Sequence, residues 1–239
     1  MFNHIGHFGA AGEAMCKALF FGGVTRRFAD LNFAFLEGGA HWACGVYSDI
    51  VGHWKKRNAK AIHDLDPRNL DRDLMRQLIG EHGNQKMTAK VDDIMHWLSQ
   101  PQRQPKNLDD WAACRVEKLE DPRDLFVANF SFGCEADDPM VAWAFNAKTN
   151  PMGAKLKAMM SSDIGHWDVT DMNEVIEEAR ELVDDGLITD DDFRHYTITN
   201  AASLYAGMNP GFFKGTVCES AVAQWLANRA PKAARGAQS

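Results

Sequence analysis

Histidine and acidic residues stand at the ends of four short apolar runs in this chain. The runs cover residues 1–5, 32–36, 125–130 and 156–162, and the polar residues at their ends are His4 and His7, Glu37, residues 131–135, and Asp163. Imidazole and carboxylate groups bind metals such as zinc and transfer protons. If the runs are parallel strands of a barrel, these groups meet at the C-terminal face, where such barrels carry catalytic residues. The spacing therefore predicts a site at that face.

Segments of helical character separate the four runs. In residues 41–56 the apolar side chains of Trp42, Val46, Ile50 and Trp54 recur every four positions, which predicts a helix with one buried face. Further helices are predicted over residues 12–21, 24–28, 137–146, 171–186, 190–205 and 221–228, with a capping box at Asp171 and Glu174. Alternation of strands and helices predicts an α/β fold with a parallel sheet.

Residues 61–118 contain helical stretches and no strand candidate, so we expect a helical insertion there. Residues 156–162 have an alternative as the last turn of a helix, because alanine and methionine favour helix. We expect one domain over residues 1–230 and a flexible tail over residues 231–239, which are rich in alanine, glycine and charged residues.

Composition excludes several classes of protein. The chain has 239 residues, with 26 Lys and Arg against 33 Asp and Glu, and a net charge of −7, which disfavours general nucleic-acid binding. No apolar stretch approaches the roughly 18–20 residues that cross a bilayer, and the first residues lack a basic leader. The five cysteines are widely spaced without a CxxC pair. We therefore expect a cytoplasmic protein with buried free thiols that binds neither nucleic acid nor membrane.

Three motifs carry a resemblance to one family. GVTRRFADLNFAFLEGGAHW at residues 23–42 resembles the sequence around the sixth barrel strand of the amidohydrolase-related proteins, in the branch of the aminocarboxymuconate-semialdehyde decarboxylase type. SSDIGHW at residues 161–167 is similar to that branch's eighth-strand motif, and NAASLY at residues 200–205 to the motif that closes its final helix. One departure is Ala29, where the family usually has proline.

The resemblance implies a fold. It covers strands five to eight, so the chain looks like the C-terminal half of a TIM-type (β/α)8 barrel with a helical insertion. The family's first strand carries a His-x-His pair that binds metal, and this sequence contains none. We expect a parent protein with an upstream half, in which Met1 is an internal methionine. The alternative is a half-barrel protein that stands alone.

The resemblance also implies a divalent-metal site, with zinc as the expected metal. Asp163 would bind the metal and take the proton from metal-bound water, and His4 would be the fifth-strand ligand, with His7 competing for that role. Glu37 would contact the substrate or support the metal, and His166 would orient the substrate. Without the family, Asp163 reads as a helix cap or a loop aspartate, Glu37 as a carboxylate held by the glycine turn, and His4 and His7 as structural or solvated histidines. His166 would then pack beside Trp167.

The expected activity is that of a metal-dependent enzyme with a small-molecule substrate. It would hydrolyse a C–N or C–O bond, or decarboxylate a carboxylic acid. Because only two ligand positions are present, we expect weak metal binding and little activity from the chain alone. The alternative is an inactive half barrel with a structural or interaction role. In either case we expect pairing, with a second copy or with the missing N-terminal half, because a half barrel leaves strand edges open.

Overall fold

A three-stranded parallel sheet forms the centre of the chain. The computed structural model describes residues 5–99, 109–167 and 169–228. Strands β1 (Phe33–Phe35), β2 (Phe130–Glu135) and β3 (Lys157–Ser161) lie side by side in chain order. The predicted mixed α/β class with a parallel sheet is therefore confirmed. None of the described helices is long and apolar enough to cross a membrane.

Helices make up most of the described chain. The α-helices are α1 (His7–Phe21), α2 (Val24–Arg27), α3 (His41–Arg57), α4 (Arg72–His82), α5 (Gln85–Ala89), α6 (Val91–Ser99), α7 (Asp110–Cys114), α8 (Asp121–Asn129), α9 (Val141–Phe145), α10 (Val175–Asp184), α11 (Asp190–Arg194), α12 (Asn200–Met208) and α13 (Glu219–Asn228). Short 3₁₀ segments lie at Ala61–Leu65, Pro67–Asn69 and Pro151–Gly153, and a π-helical turn at His195–Thr199 joins α11 to α12.

One face of the sheet is apolar and packs against helices. Phe35, Phe132 and Ala158 are register partners across the three strands and therefore point to the same side. The Phe132 ring lies 5.4 Å from that of Trp42 in α3 and 6.0 Å from that of Phe126 in α8. These aromatic contacts hold α3 and α8 against the sheet and form the centre of the core.

Helix α3 confirms the prediction of a helix with one buried face that was made from the four-residue spacing. Trp42, Val46, Ile50 and Trp54 are all buried. The helix begins at His41, as predicted, and ends one residue later than predicted, at Arg57. Its last turn carries a run of basic residues, which the negative end of the helix dipole favours.

Helix α11, the π-helical turn and α12 anchor the sheet from the other end of the chain. The Tyr196 hydroxyl donates to the backbone carbonyl of Glu135 at the end of β2. The Asn200 side-chain amide donates to the carbonyl of Ala158 in β3, at 2.8 Å. Asn200 thus ties the start of α12 to a strand of the sheet.

The strand predicted over residues 125–130 is wrong. Leu125 and Phe126 lie in helix α8, and the strand begins at Phe130. Pro122 stands in the first turn, where its missing N–H costs nothing. At the other end the Asn129 amide donates to the carbonyls of Ala29 and Leu31, at 3.0 and 2.7 Å. These bonds fix the helix end beside the loop that enters β1.

The start of the chain also differs from its prediction. Ile5 and Gly6 form a turn, and α1 begins at His7, earlier than the expected helix over residues 12–21. The rest of the strand predicted over residues 1–5 lies outside the described residues, as does the tail over residues 231–239. Within the described part of residues 61–118 there are helices and no strand.

Two helices begin later in the structure than the sequence predicted. The helix expected over residues 137–146 covers only Val141–Phe145, because the Asp138 carboxylate accepts from the Met140 amide and holds a turn ahead of it. The expected box at Asp171 and Glu174 is a turn before α10. The capping box of the described chain is formed by Thr189 and Asp192 at α11 instead.

Asp192 links stability to pH. It is buried, and burial by itself would raise its pKa, but hydrogen bonds from Lys155 (2.6 Å) and Thr189 (2.7 Å) outweigh burial and hold the pKa below its ordinary value. A depressed pKa in the folded state stabilises the fold above the ordinary aspartate pKa, and this contribution disappears as the pH falls through the folded pKa.

We therefore expect Asp192→Asn to lower the free energy of unfolding by about 1–2 kcal/mol at pH 7, and the difference from the unmodified chain to shrink below about pH 4. Urea unfolding at pH 7, 5 and 3 measures this. Asp191→Asn, on the same helix but exposed, is the control and should change little at any of these pH values. A deficit of the Asp192 variant that is the same at pH 3 and pH 7 would contradict the assignment.

Candidate functional site

A pocket of about 620 Å³ opens at the C-terminal ends of the three strands. We call it the strand-edge pocket. Five acidic residues line its wall, and the end of each strand supplies at least one of them. Glu37 stands two residues after β1, Glu135 is the last residue of β2, and Asp163 stands two residues after β3. The pocket therefore lies where a parallel sheet usually places its functional side chains.

Asp163 and His166 form a pair on the loop after β3. The His166 backbone amide donates to the Asp163 carbonyl at 2.9 Å, which closes a tight turn. The same turn brings His166 Nδ1 to 3.5 Å from Asp163 Oδ2, with both side chains about half exposed. Asp163 therefore heads a turn and does not cap a helix. The His166 and Trp167 rings are 6.0 Å apart, but Trp167 is almost fully exposed, so the pair is not part of a packed core.

Glu37 begins the turn that leads from β1 into α3. The Gly39 amide donates to the carbonyl of Gly133 in β2, at 3.1 Å, and so is not holding the Glu37 carboxylate. Gly39 has a φ of +68°, and a Cβ there would lie 3.1 Å from the Asp138 carboxylate and 3.2 Å from His41 Nδ1. Glycine at this position therefore lets Asp138 and His41 approach the pocket wall that Glu37 begins.

Both Glu37 and Asp163 have left-handed backbone conformations, with φ of 59° and 51°. Only four non-glycine residues of the described chain have positive φ. Such residues cost about 1–3 kcal/mol each and concentrate at functional sites. Glu37 and Asp163 are two of these four residues, and each is an acidic residue two positions beyond the end of a strand. This coincidence favours a functional reason for both conformations.

A second, smaller pocket of about 280 Å³ shares a wall with the first. Glu135, Asp137, Ser161 and Asp163 line both pockets. The smaller pocket adds the carboxylates of Asp171 and Glu178 together with the apolar side chains of Val169 and Val175. The sequence singled out residues 131–135, which include Glu135, but indicated only a cap at Asp171 and nothing at Glu178. No pattern in the sequence connects α10 to the strand ends.

Of the predicted metal ligands that the structure describes, Asp163 lines the strand-edge pocket and His7 does not. His7 begins α1, and its ring lies 4.1 Å from that of Phe8 at a tilt of 34°. The pocket is lined by its neighbours Gly6 and Phe8. His4 lies outside the described residues. Among the residues that the structure describes, no group of three or more His, Cys, Asp or Glu side chains is placed to hold a metal ion. The described residues therefore give Asp163 no set of further metal ligands.

The cysteines offer no nucleophile at the pocket. Cys134 in β2 is fully buried, and burial raises the pKa of its thiol, with Asp138 adding to the effect. Cys44 and Cys114 are also buried, and burial raises the pKa of each to about 11. A thiol whose pKa is raised is protonated at neutral pH and is a poor nucleophile. The prediction of buried free thiols is confirmed for four of the five, Cys218 being exposed.

Comparison of the chain with protein-family models, curated proteins and solved structures found no match. A carboxylate and an imidazole 3.5 Å apart can accept a proton and pass it on. Their exposure leaves both open to a small molecule in the strand-edge pocket.

Proposed function

We propose that the chain is part of an amidohydrolase-type enzyme and contributes strands five to eight of a (β/α)8 barrel. The observation that carries this proposal is the strand-edge pocket, because it joins Glu37, Asp163 and His166 at the C-terminal ends of adjacent parallel strands. Adjacent strands in chain order are what a barrel requires, whereas the order reverses in a doubly wound sheet. In this proposal β1, β2 and β3 are the sixth, seventh and eighth strands.

In the proposed reaction Asp163 and His166 handle the proton. Water adds through its oxygen to the carbon of a C–N or C–O bond, and Asp163 takes the proton that the water loses. His166, 3.5 Å away, carries a proton to the departing nitrogen or oxygen. The second reaction of the proposal is decarboxylation, in which the pair would deliver a proton to the carbon that loses carbon dioxide. General acid–base groups of this kind contribute about 10²–10⁴-fold to rates.

The family resemblance calls for a divalent metal, with zinc as the first choice, but the described residues do not fit a complete metal site. No three donors converge among them, whereas catalytic zinc sites use three protein ligands. We propose that the missing ligands come from a His-x-His segment on a separate half of the barrel. This chain's own contribution is the proton transfer by Asp163 and His166.

Complementation tests this proposal. The chain is mixed with a polypeptide that supplies the first four strands of an amidohydrolase-type barrel with its His-x-His pair, and turnover is measured on a panel of amides, esters and carboxylic acids. We expect turnover from the mixture and little from the chain alone. Equal and robust turnover by the chain alone would contradict the half-barrel proposal.

A second candidate function is an inactive subunit that pairs with another chain. The β1 end of the second sheet face favours it, because Ala34 is exposed and Leu36, just beyond that strand, is 61% exposed, whereas Ser131 and Met159 on the same face are buried. The outer edges of β1 and β3 are also unpaired within the described residues. Such edges and faces promote association with a second copy or with a separate half. Assembly mass and metal content distinguish this candidate from the enzyme.

A further inference from the structure

A third pocket lies in the layer of helices that packs on the sheet. It measures about 320 Å³ and is formed by α1, α3, α7 and the 3₁₀ segment Ala61–Leu65. We call it the helix-layer pocket. None of the described residues that line it lines the strand-edge pocket or the smaller pocket beside that one. Its volume is at the lower end of the range of about 300–1,000 Å³ that ligand pockets usually have, so it suits a small molecule.

The floor of the helix-layer pocket is apolar and partly aromatic. It is supplied by Phe21 of α1, Val46 and Ile50 of α3, Ile62, and Trp111 of α7, all of which are buried or half-buried. The Phe21 and Trp111 rings lie 5.3 Å apart with a tilt of 58° between their planes. Ligand pockets are usually lined in this way, and aromatic rings pack well against a further ring. The floor therefore favours a hydrophobic group, and an aromatic ring above others.

Two opposite charges at one end of this pocket are unpaired. The Trp111 indole N–H donates to the Arg57 backbone carbonyl at 2.7 Å, which places the first turn of α7, with Asp110, beside the last turn of α3. Arg57 and Asp110 both line the pocket and are exposed, and neither side chain forms an ion pair or a hydrogen bond with another described residue. A ligand carboxylate can therefore bind Arg57 while an ammonium group beside it binds Asp110.

The other titratable groups of the helix-layer pocket are either held by a neighbour or far from Arg57. The Lys17 ammonium donates to the Glu13 carboxylate at 2.7 Å, so these two charges already compensate each other. His53 Nδ1 donates to the backbone carbonyl of Asp49 at 2.7 Å, which holds the ring against its own helix. The Asp49 carboxylate stands eight residues before Arg57, or about 12 Å along α3, beyond the reach of the same small charged group.

We propose that the helix-layer pocket binds a free α-amino acid with a hydrophobic, preferably aromatic, side chain. The ligand's side chain lies on the floor between Phe21 and Trp111, its carboxylate binds Arg57, and its ammonium group binds Asp110. The apolar floor and the two unpaired charges together select a zwitterion over a hydrophobic acid or a hydrophobic amine. This site is independent of the function proposed above, because no residue of the strand-edge pocket takes part in it.

Titration of the full chain with related probes tests this site. L-Phenylalanine carries the ring and both charges, hydrocinnamate lacks the ammonium group, phenethylamine lacks the carboxylate, and glycine lacks the ring. Calorimetry should show saturable binding of L-phenylalanine, binding of hydrocinnamate and phenethylamine that is about two- to fivefold weaker for the loss of one exposed ion pair, and none of glycine. Binding of either single-charge probe as tight as that of L-phenylalanine, or no saturable binding of L-phenylalanine, would overturn the proposal.

Neighbouring cations of α3 provide matched variants. Arg57 lines the pocket and Lys56 does not, although both side chains are exposed in the last turn. Arg57→Gln should weaken L-phenylalanine and hydrocinnamate about two- to fivefold and leave phenethylamine unchanged, whereas Lys56→Gln should change none of them.

Asp110→Asn gives the reverse pattern, with weaker binding of L-phenylalanine and phenethylamine and unchanged binding of hydrocinnamate. Because Arg57 and Asp110 are exposed, urea unfolding of both variants should match that of the unmodified chain within about 0.5 kcal/mol. Equal weakening of all three ligands by Arg57→Gln, or equal effects of Arg57→Gln and Lys56→Gln, would contradict the assigned contacts.

Discussion

Replacing Asp163 by asparagine is expected to lower turnover of the complemented assembly by about 10²–10⁴-fold. Asparagine keeps the shape of the side chain and tolerates the left-handed backbone that position 163 requires, but it cannot take a proton. Because the Asp163 side chain is about half exposed, the free energy of unfolding should change by less than about 0.5 kcal/mol. Steady-state kinetics and urea unfolding of the same preparations measure both quantities.

Asp184→Asn is the control for this variant. Asp184 is an exposed residue at the end of α10 that lines neither pocket, and its replacement should leave turnover unchanged. Unchanged turnover in Asp163→Asn, with the fold retained, would remove Asp163 from the proposed chemistry. A fall in turnover that accompanies an equal loss of folded protein would assign the residue a structural role.

Phe132→Ala should lower the free energy of unfolding by about 3–5 kcal/mol, the usual cost of removing a buried phenylalanine ring. Phe132 is 1% exposed and sits at the middle of the sheet face that packs on α3 and α8. Its ring contacts those of Phe35, Trp42 and Phe126, with centroids 5.4–6.0 Å apart. The rigid rings around the site cannot collapse into the space that the substitution leaves, so a cavity remains.

Phe28→Ala is the matched control, because Phe28 is 52% exposed at the end of α2. Its loss should cost about 1 kcal/mol, since only part of its apolar surface is buried. Urea unfolding followed by tryptophan fluorescence compares the two variants with the unmodified chain. Equal effects of the two substitutions would show that the sheet face does not hold the core described here.

The sequence predicted correctly those helices and strands that are specified by a pattern of neighbouring residues. The four-residue repeat of Trp42, Val46, Ile50 and Trp54 predicted α3, and the run from Lys157 to Ser161 is a strand and not the helix turn that was its alternative. The run LFVANF was misread, because an apolar run of six residues suits a buried strand and a buried helix equally. What decides between them is the double hydrogen bond of Asn129 to the loop before β1, a contact across about 100 residues of sequence.

The candidate site was predicted in part. Glu37, Asp163 and His166 were chosen from the sequence, and the structure brings all three to one pocket. The contribution of Glu178 was not predictable, since it depends on where α10 packs beside the strand ends. The left-handed conformations of Glu37 and Asp163 were also hidden, because nothing in those residue types requires positive φ. The predicted ligand set is not settled here, since His4 lies outside the described residues, and His7 begins helix α1.

Mass and metal content of the assembly test the central claim most directly. The chain is examined alone and mixed with the half that carries His-x-His, by light scattering and by elemental analysis of the same chromatographic peak. We predict a complex heavier than the 26.7 kDa chain that holds one divalent metal ion per pair, and no stoichiometric metal in the chain alone. A stable, metal-free dimer of the chain that does not take up the other half would contradict the claim and favour the structural subunit.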